Sequence, residues 1–398
     1  MLPRQPYGGP GGSGGAGWPA PPGAREERRV RGDRVPGAAA RTGRGRAAGE
    51  EPPRAGAAPA ADDSARRSPI PGVASLAIRG LLHGTPRRAR VIAALPAVTY
   101  LEFAEPAFEP RVIALVSPGA IRLPNAIVLK LPAGDVAIRE PAPAGSSGPG
   151  TAAPLPAAAL PAATLRGEIT PVGSAAARRA GTGSARPGHG GGDAWAGNGR
   201  VTACGMEVQV RRWWDPCPVL RPLRRARLEH GMSALARVCA SAARRPGLDG
   251  HDAPAALAAY CAAGDLAGAV ETAESLVGLG PGLMPSGDSM ISGLLLALRL
   301  LGGATAGGTR AVWLADWLSA AVTCYAQQRT TPLAASLLHC AARGQAAEEV
   351  SAVLRSFAGQ EPAELAARRL LAAGEQAGAD LAWGLVAGCR AALALSAA

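Results

Sequence analysis

The chain has 398 residues, of which 53 are glycine and 36 are proline, so part of it is too rich in turn formers to belong to a packed domain. Its formal net charge of +12 usually suggests a nucleic-acid partner, but the arginines are scattered and only 4% of the residues are aromatic. A basic stripe with stacking rings is therefore not expected, and no nucleic acid is predicted as a partner.

The cysteines and histidines indicate neither disulfides nor a metal site. Seven cysteines are odd in number, widely spaced and never paired as C-x-x-C, which is typical of reduced thiols. The five histidines show no metal-ligand spacing, so no zinc site is predicted. The N-terminal stretch lacks the apolar core of a signal peptide. Together these features predict a cytoplasmic protein.

The first half of the chain changes character twice. Residues 1–72 are rich in Gly, Pro, Arg and Ala and bury too little apolar surface to offset the entropy of ordering, so we predict a disordered tail. Residues 73–218 contain short apolar runs divided by Pro and Gly, which predict a β-rich domain. Their spacing favours a small antiparallel sheet or a partly closed barrel. A low-complexity stretch at about 141–199 is predicted to be a surface insertion in this domain.

The remaining residues, 219–398, are predicted to form an all-α domain, so the fold class is α+β. Alanine-rich segments with one apolar face, separated by Gly or Pro breaks, predict helices over 219–244, 252–263, 265–277, 287–301, 309–327, 332–343, 346–358, 362–373 and 380–396. The most apolar of them, 287–301, is too short to cross a bilayer, so no membrane is predicted as a partner.

The most distinctive stretch is a glycine-rich turn, LVGLGPGLMPSGDS, that runs into this apolar helix. Gly280 and Gly282 allow backbone angles that other residues resist. Ser286 is placed to cap the helix, with Gly287 and Asp288 in its first turn. The stretch either joins two core helices or presents backbone N–H groups to a phosphate or carboxylate. In the second case a cation or a ligand N–H must lie beside Asp288.

Two further segments form motifs with this turn: RTTPLAAS, from Arg329 to Ser336, and GEQAGADLAWGLVAG, from Gly374 to Gly388. Together the three resemble the signature of the AllH-type family, which is linked to oxamate carbamoyltransferase. The first is similar to G-L-G-P-G-L-x-P-S-G-D-D, and the third to G-H-T-S-G-A-D-x-x-x-G. The likeness extends over roughly residues 75–398.

The resemblance implies a subunit of a complex that converts oxalurate and phosphate to oxamate and carbamoyl phosphate in allantoin, and hence purine, degradation. Its implied partners are an FdrA-type subunit and a further carbamoyltransferase subunit, besides a small anionic substrate. Dependence on partners would explain why the sequence shows no complete set of nucleophile and base. The alternative is a non-catalytic anion-binding or scaffold subunit.

Three helix starts are predicted to meet at one pocket, with Asp288 and Asp380 as the candidates for catalysis. The predicted substrate-binding set is Gly280, Gly282, Ser286, Gly287, Arg329, Thr330 and Thr331. A magnesium ion is one candidate cofactor, because a carboxylate oxygen suits it. Simpler interpretations stay open. Thr330 or Thr331 caps the helix that begins near Pro332, and Asp380 caps the last helix.

The sequence departs from the family pattern at four positions of these motifs. Met284 stands where threonine is usual, Ser289 replaces the second aspartate, Glu375 replaces the histidine, and Ala377 replaces a small hydroxyl residue. Each change removes a polar group from the predicted pocket, and the missing histidine is the natural proton carrier near neutral pH. These departures leave a changed substrate or a loss of catalytic activity open beside the activity that the resemblance implies.

Overall fold

The computed structural model describes residues 68–104, 109–130, 194–374 and 376–396. Most of the predicted tail 1–72 and of the predicted insertion 141–199 lies outside the described residues, as does Glu375. One compact unit spans Arg66–Ala398 and contains all the strands and helices given below. The fold is α+β, with a β domain followed by a helical one, as the sequence predicts.

Eight strands form the β domain, and they close into a barrel in the order β1-β5-β4-β3-β2-β6-β7-β8. Their bounds are β1 Ile70–Ser75, β2 Arg87–Leu95, β3 Val98–Phe103, β4 Val112–Val116, β5 Ala126–Leu129, β6 Ala194–Gly197, β7 Arg200–Ala203 and β8 Met206–Trp214. A 3-10 turn at Leu76–Ile78 and the short helix α1, Arg79–Leu82, follow β1 and pack into the barrel core.

The barrel differs from the predicted sheet in closure and in strand direction. β1 pairs with β8 in parallel and β4 with β5 in parallel, whereas the other pairs are antiparallel. The parallel pairing of the first and last strands closes the barrel and leaves no open edge between them. The barrel also takes in Ile70, which lies inside the predicted tail, and Ala194–Gly197, which lies inside the predicted insertion. Both segments gain a strand partner that local composition does not encode.

The helical domain follows the predicted pattern closely. Its helices are α2 Arg225–Ser241, α3 Asp252–Ala263, α4 Leu266–Leu276, α5 Ser286–Leu296, α6 Gly302–Ala304, α7 Thr309–Arg329, α8 Pro332–Ala342, α9 Glu348–Phe357, α10 Ala363–Ala372 and α11 Ala377–Ser396. A π-helical turn, Ala297–Leu301, joins α5 to α6 without a break. The predicted helix 287–301 is therefore longer at both ends than the sequence suggests.

Helices α5 and α11 form the centre of this domain. Both are apolar and long enough to cross a membrane by length alone, when α5 is counted through Ala304. However, 78% of the most apolar stretch of the helix that runs from Ser286 to Ala304 is buried inside the protein, as is 72% of that of α11. The length argument in the sequence analysis is thus corrected, and burial identifies both as core helices instead.

The barrel packs on the helical domain through β4, all five residues of which are buried. Alternate β4 side chains face the barrel core, while Val112 lies against Leu333 and Leu337 of α8. The hydroxyl of Ser336 accepts hydrogen bonds from the backbone N–H groups of Arg111 and Val112, both at 3.1 Å. The second motif therefore joins the two domains.

Candidate functional site

The glycine-rich turn between α4 and α5 is built from left-handed glycines. Gly278, Gly280 and Gly282 have φ angles of 77°, 119° and 87°, a region that residues with a Cβ rarely adopt. Pro285 ends the turn with φ −54° and ψ 143° and occupies the N-cap position of α5, without a side-chain cap. Ser286, which the sequence predicts as the cap, is instead the first residue of the helix, and its buried hydroxyl lies beside Gly247 and Asp380.

Asp288 links the turn to the second motif. Its side chain is fully buried, and its carboxylate accepts hydrogen bonds from the Gly278 backbone N–H at 3.1 Å and from the Thr330 hydroxyl at 2.5 Å. Burial raises the pKa of Asp288 to about 6, although the bonds from Thr330 and Gly278 lower it. Both carboxylate oxygens thus have partners within the protein, and the group titrates near neutral pH.

Asp380 lies in the first turn of α11 but is not its cap, because the helix begins three residues earlier at Ala377. It is fully buried, and Oδ1 accepts a hydrogen bond from the Gly247 backbone N–H at 2.8 Å. Burial raises the pKa of Asp380, and hydrogen bonding by Gly247, Ser286 and Gln376 lowers it. Its Oδ2 has no hydrogen-bond partner among the described residues. Asp380 therefore has one buried acceptor atom that no described group satisfies, although the side chains of Ser286 and Gln376 lie close to the carboxylate.

The loop around Gly247 was not singled out by the sequence. Gly247 packs so closely on Ser286 that a Cβ at this position would overlap the serine hydroxyl. The loop thereby covers Ser286 and supplies the N–H group that Asp380 holds. A glycine between Pro246 and Leu248 is too common a pattern to identify such a contact in advance.

The second motif begins with two threonines in different roles. Thr331 is the N-cap of α8, since its hydroxyl accepts a hydrogen bond from the Ala334 N–H at 3.1 Å, and Pro332 is the first helical residue. The same hydroxyl donates to the Leu283 carbonyl at 2.7 Å. Thr330 donates to Asp288 as described. The predicted cap is confirmed, and both hydroxyls also hold the glycine-rich turn in place.

Arg329 does not join either carboxylate. It is the last residue of α7, and its exposed guanidinium donates a hydrogen bond to the Glu274 carbonyl at 3.0 Å and lies over the Tyr325 ring. The predicted meeting of Asp288, Asp380 and Arg329 at three helix N-termini is thus corrected. The two aspartates make separate contacts around the start of α5, and Arg329 comes from the C-terminal end of a helix.

At the start of α5, the turn accepts a hydrogen bond from one backbone N–H group and packs closely on another. The Gly287 N–H donates to the Leu279 carbonyl at 2.9 Å, and a Cβ on Gly287 would overlap the Leu276 carbonyl. Gly280 likewise packs on the Ser286 N–H, 2.7 Å from the position of a Cβ. Two buried carboxylates flank the same turn. The arrangement is therefore better suited to hold a ligand N–H donor than a bare anion.

Three of the four positions that depart from the motif pattern, Met284, Ser289 and Ala377, lie within the described residues. Met284 packs with Val112 and Leu333 in the seam between barrel and helices, where a threonine would contribute less apolar surface. Ser289 is fully buried, and its hydroxyl has no partner among the described residues. Ala377 is the first residue of α11. Glu375, which stands where the motif pattern has histidine, lies outside the described residues.

The third motif also fixes how α11 crosses α5. A Cβ on Gly384 would overlap the Met290 carbonyl, and one on Gly293 would overlap the Leu381 carbonyl. Gly384 of the third motif and Gly293 of α5 thus let the two helix backbones touch. All three motifs therefore pack on one helix, α5.

Comparison with known proteins identifies a related family. No curated protein and no solved structure matches the chain. Residues 276–389, which contain all three motifs, match the family model described as oxamate carbamoyltransferase subunit AllH, so the resemblance seen in the motifs is confirmed over this segment.

Proposed function

We propose that the chain is a subunit of an oxamate carbamoyltransferase-like complex in the cytoplasm that takes part in allantoin degradation. The observation that carries this proposal is the family match over residues 276–389, because it spans all three motifs that pack on α5. The family description itself calls the protein a subunit, which implies further chains. We propose that these are an FdrA-type subunit and a second carbamoyltransferase subunit.

The proposed reaction moves a carbamoyl group between oxalurate and phosphate. The C–N bond of oxalurate that leads to the oxamate nitrogen breaks, a C–O bond to phosphate forms, and the phosphate proton passes to the oxamate nitrogen. Each organic participant carries N–H groups. The unpartnered Oδ2 of Asp380 is a buried acceptor for such a group, and Ser286 lies beside it. Asp380 is accordingly the residue that we propose to contact substrate.

Magnesium has a limited place in this proposal. Across the described ranges, no three side chains of His, Cys, Asp or Glu come together as a metal site. A magnesium ion would therefore be carried mainly by the phosphate oxygens of the substrate, with at most one or two protein carboxylates, which is a common arrangement for this ion.

The second candidate is a non-catalytic anion-binding or scaffold subunit. It is favoured by Asp288, both of whose carboxylate oxygens are already bonded within the protein, and by Met284, which fills the seam between barrel and helices. In this case the glycine-rich turn holds α5, α8 and the barrel together, and partner chains perform the chemistry.

Reconstitution distinguishes the two candidates. The chain is coexpressed with the FdrA-type and second carbamoyltransferase subunits, and carbamoyl phosphate formation from oxalurate and phosphate is measured. We expect an active complex whose kcat falls at least tenfold with Asp380→Asn and is unchanged with Asp249→Asn, an exposed carboxylate. Full activity in the Asp380→Asn complex would favour the scaffold. Failure of the three chains to associate would overturn both.

A further inference from the structure

A cleft of about 230 Å³ lies between α2, α3, α10 and α11, away from the glycine-rich turn. Five of its twelve lining residues are alanine, and these short side chains leave the space open. Drug-sized ligands need about 300 Å³ or more, so the cleft fits only a small molecule. The side of α11 that faces it carries Ala379, Ala382, Trp383, Val386 and Arg390.

The polar groups of the cleft are almost all cationic. Arg244 and Arg390 line it, both side chains are exposed, and no acidic residue is among its described lining. Arg244 is held in place by a hydrogen bond from its guanidinium to the Gly374 carbonyl at 2.8 Å. Arg390 has no hydrogen bond or ion pair with any described residue. One fixed and one unengaged guanidinium therefore face an apolar space.

We propose that this cleft binds a small carboxylate with a flat apolar body, with Arg390 and Arg244 on the carboxylate and Trp383 against the body. A guanidinium pairs with a carboxylate through two parallel hydrogen bonds, and an indole offers a flat apolar wall. The alanines exclude water from the body of the ligand without contributing polar partners. The cleft is separate from the site proposed for carbamoyl transfer, since neither Asp288 nor Asp380 lines it.

The cleft is nevertheless next to the Asp380 contacts. Arg244 and Pro246 belong to the loop whose following residue, Gly247, donates its N–H to Asp380. A bound carboxylate would hold this loop through Arg244. A ligand in the cleft would thus stabilise the loop around Gly247, which lies over Ser286 and Asp380.

The test is a calorimetric titration of the full chain with benzoate at constant ionic strength. Benzamide has the same shape without the charge, and oxamate has the charge without the apolar body. We expect saturable benzoate binding, with benzamide and oxamate each at least tenfold weaker. Equal affinity for benzoate and benzamide, tighter oxamate binding or no benzoate binding would each overturn the proposal.

Three variants locate the site. Arg390→Ala should weaken benzoate binding roughly tenfold or more, because a charge-assisted hydrogen-bond pair is lost. Ala258→Leu fills the cleft from α3 without changing charge and should abolish binding, provided that the circular dichroism spectrum is unchanged. Arg310→Ala is the matched control, an exposed arginine that lines a different cleft beside Trp313. Undiminished binding in Arg390→Ala, or an equal loss in Arg310→Ala, would refute the assignment.

Discussion

Asp288 illustrates how burial sets the chemistry of a single residue here. Its pKa of about 6 exceeds the ordinary 3.8, so between these pH values the folded protein holds the proton more tightly than the unfolded chain. The stability contribution of the group is therefore greatest at low pH and is lost as pH rises through 6. At pH 7 the buried charge destabilises the fold by about 3 kcal/mol relative to the neutral form.

We therefore predict that Asp288→Asn flattens the pH dependence of stability. Asparagine can accept from the Gly278 N–H and donate to the Thr330 hydroxyl, so the contacts survive without the charge. Urea unfolding at pH 4.5 and pH 7.5 should show a stability loss on going to pH 7.5 that is about 2 kcal/mol smaller than in the parent protein. Asp249→Asn should leave the stability difference between pH 4.5 and pH 7.5 the same as in the parent protein. A variant with undiminished pH dependence would show that Asp288 is not the titrating group.

Residue types at the start of α5 were predictable, but their partners were not. The motif residues indicate a rigid turn and polar groups at helix starts, and the structure shows both in Gly280 and Thr331. The Thr330 hydroxyl donates to the Asp288 carboxylate, and these residues are 42 positions apart in the chain. Local sequence therefore does not predict this pairing. The same limit explains Arg329, whose side chain follows the end of α7 toward Glu274 and not toward the turn.

At the scale of elements, the local sequence pattern is sufficient to predict the helices but not to predict how the strands pair in the barrel. The helix α3 has the predicted bounds, 252–263, because its ends are marked by Asp252 and by the left-handed Gly264. Barrel closure requires β1 to pair in parallel with β8, and the two strands are more than 100 residues apart in the chain. Alternating apolar residues indicate a strand but carry no information about its neighbour.

The crossing of α5 and α11 gives the element-scale prediction. Gly384→Ala should destabilise the protein by about 3 kcal/mol or more, because the added Cβ meets the Met290 carbonyl and two packed helices must separate. Gly303→Ala is the control, since Gly303 is an exposed helical glycine whose Cβ would have its nearest neighbour at 3.9 Å. It should be neutral or stabilise by about 0.5 kcal/mol. Chemical denaturation measures both, and a Gly384→Ala protein of normal stability would refute the close contact.

The whole molecule depends on the seam between barrel and helices. Ser336, which is 1% exposed, accepts two backbone hydrogen bonds from the start of β4. Ser336→Ala leaves both N–H groups without this acceptor, and we expect a loss of about 1 to 3 kcal/mol in the free energy of unfolding. Ser356→Ala, which removes a hydroxyl bonded only within its own helix, should have a smaller effect. Equal effects in the two variants would mean that the seam does not rely on Ser336.

Met284 connects the seam to the question of function, because it replaces a family threonine with a side chain that packs on Val112, Leu333 and Leu337. Met284→Thr restores the family residue and removes apolar contact between the domains, so stability should fall by about 1 kcal/mol. Leu283→Thr is the control in the same turn, since Leu283 is 39% exposed and lies outside that cluster. It should change the free energy of unfolding by less than about 0.5 kcal/mol.

The same two variants test what the substitution means for activity. If Met284 only strengthens the seam, Met284→Thr lowers stability and leaves the turnover of the reconstituted complex unchanged. If the threonine hydroxyl contributes to catalysis in the family, turnover rises in Met284→Thr and stays constant in Leu283→Thr. Because the side chain at position 284 faces the barrel and not Asp380, we expect the first result. A rise in turnover would show that the reacting groups lie at the seam and would move the candidate site there.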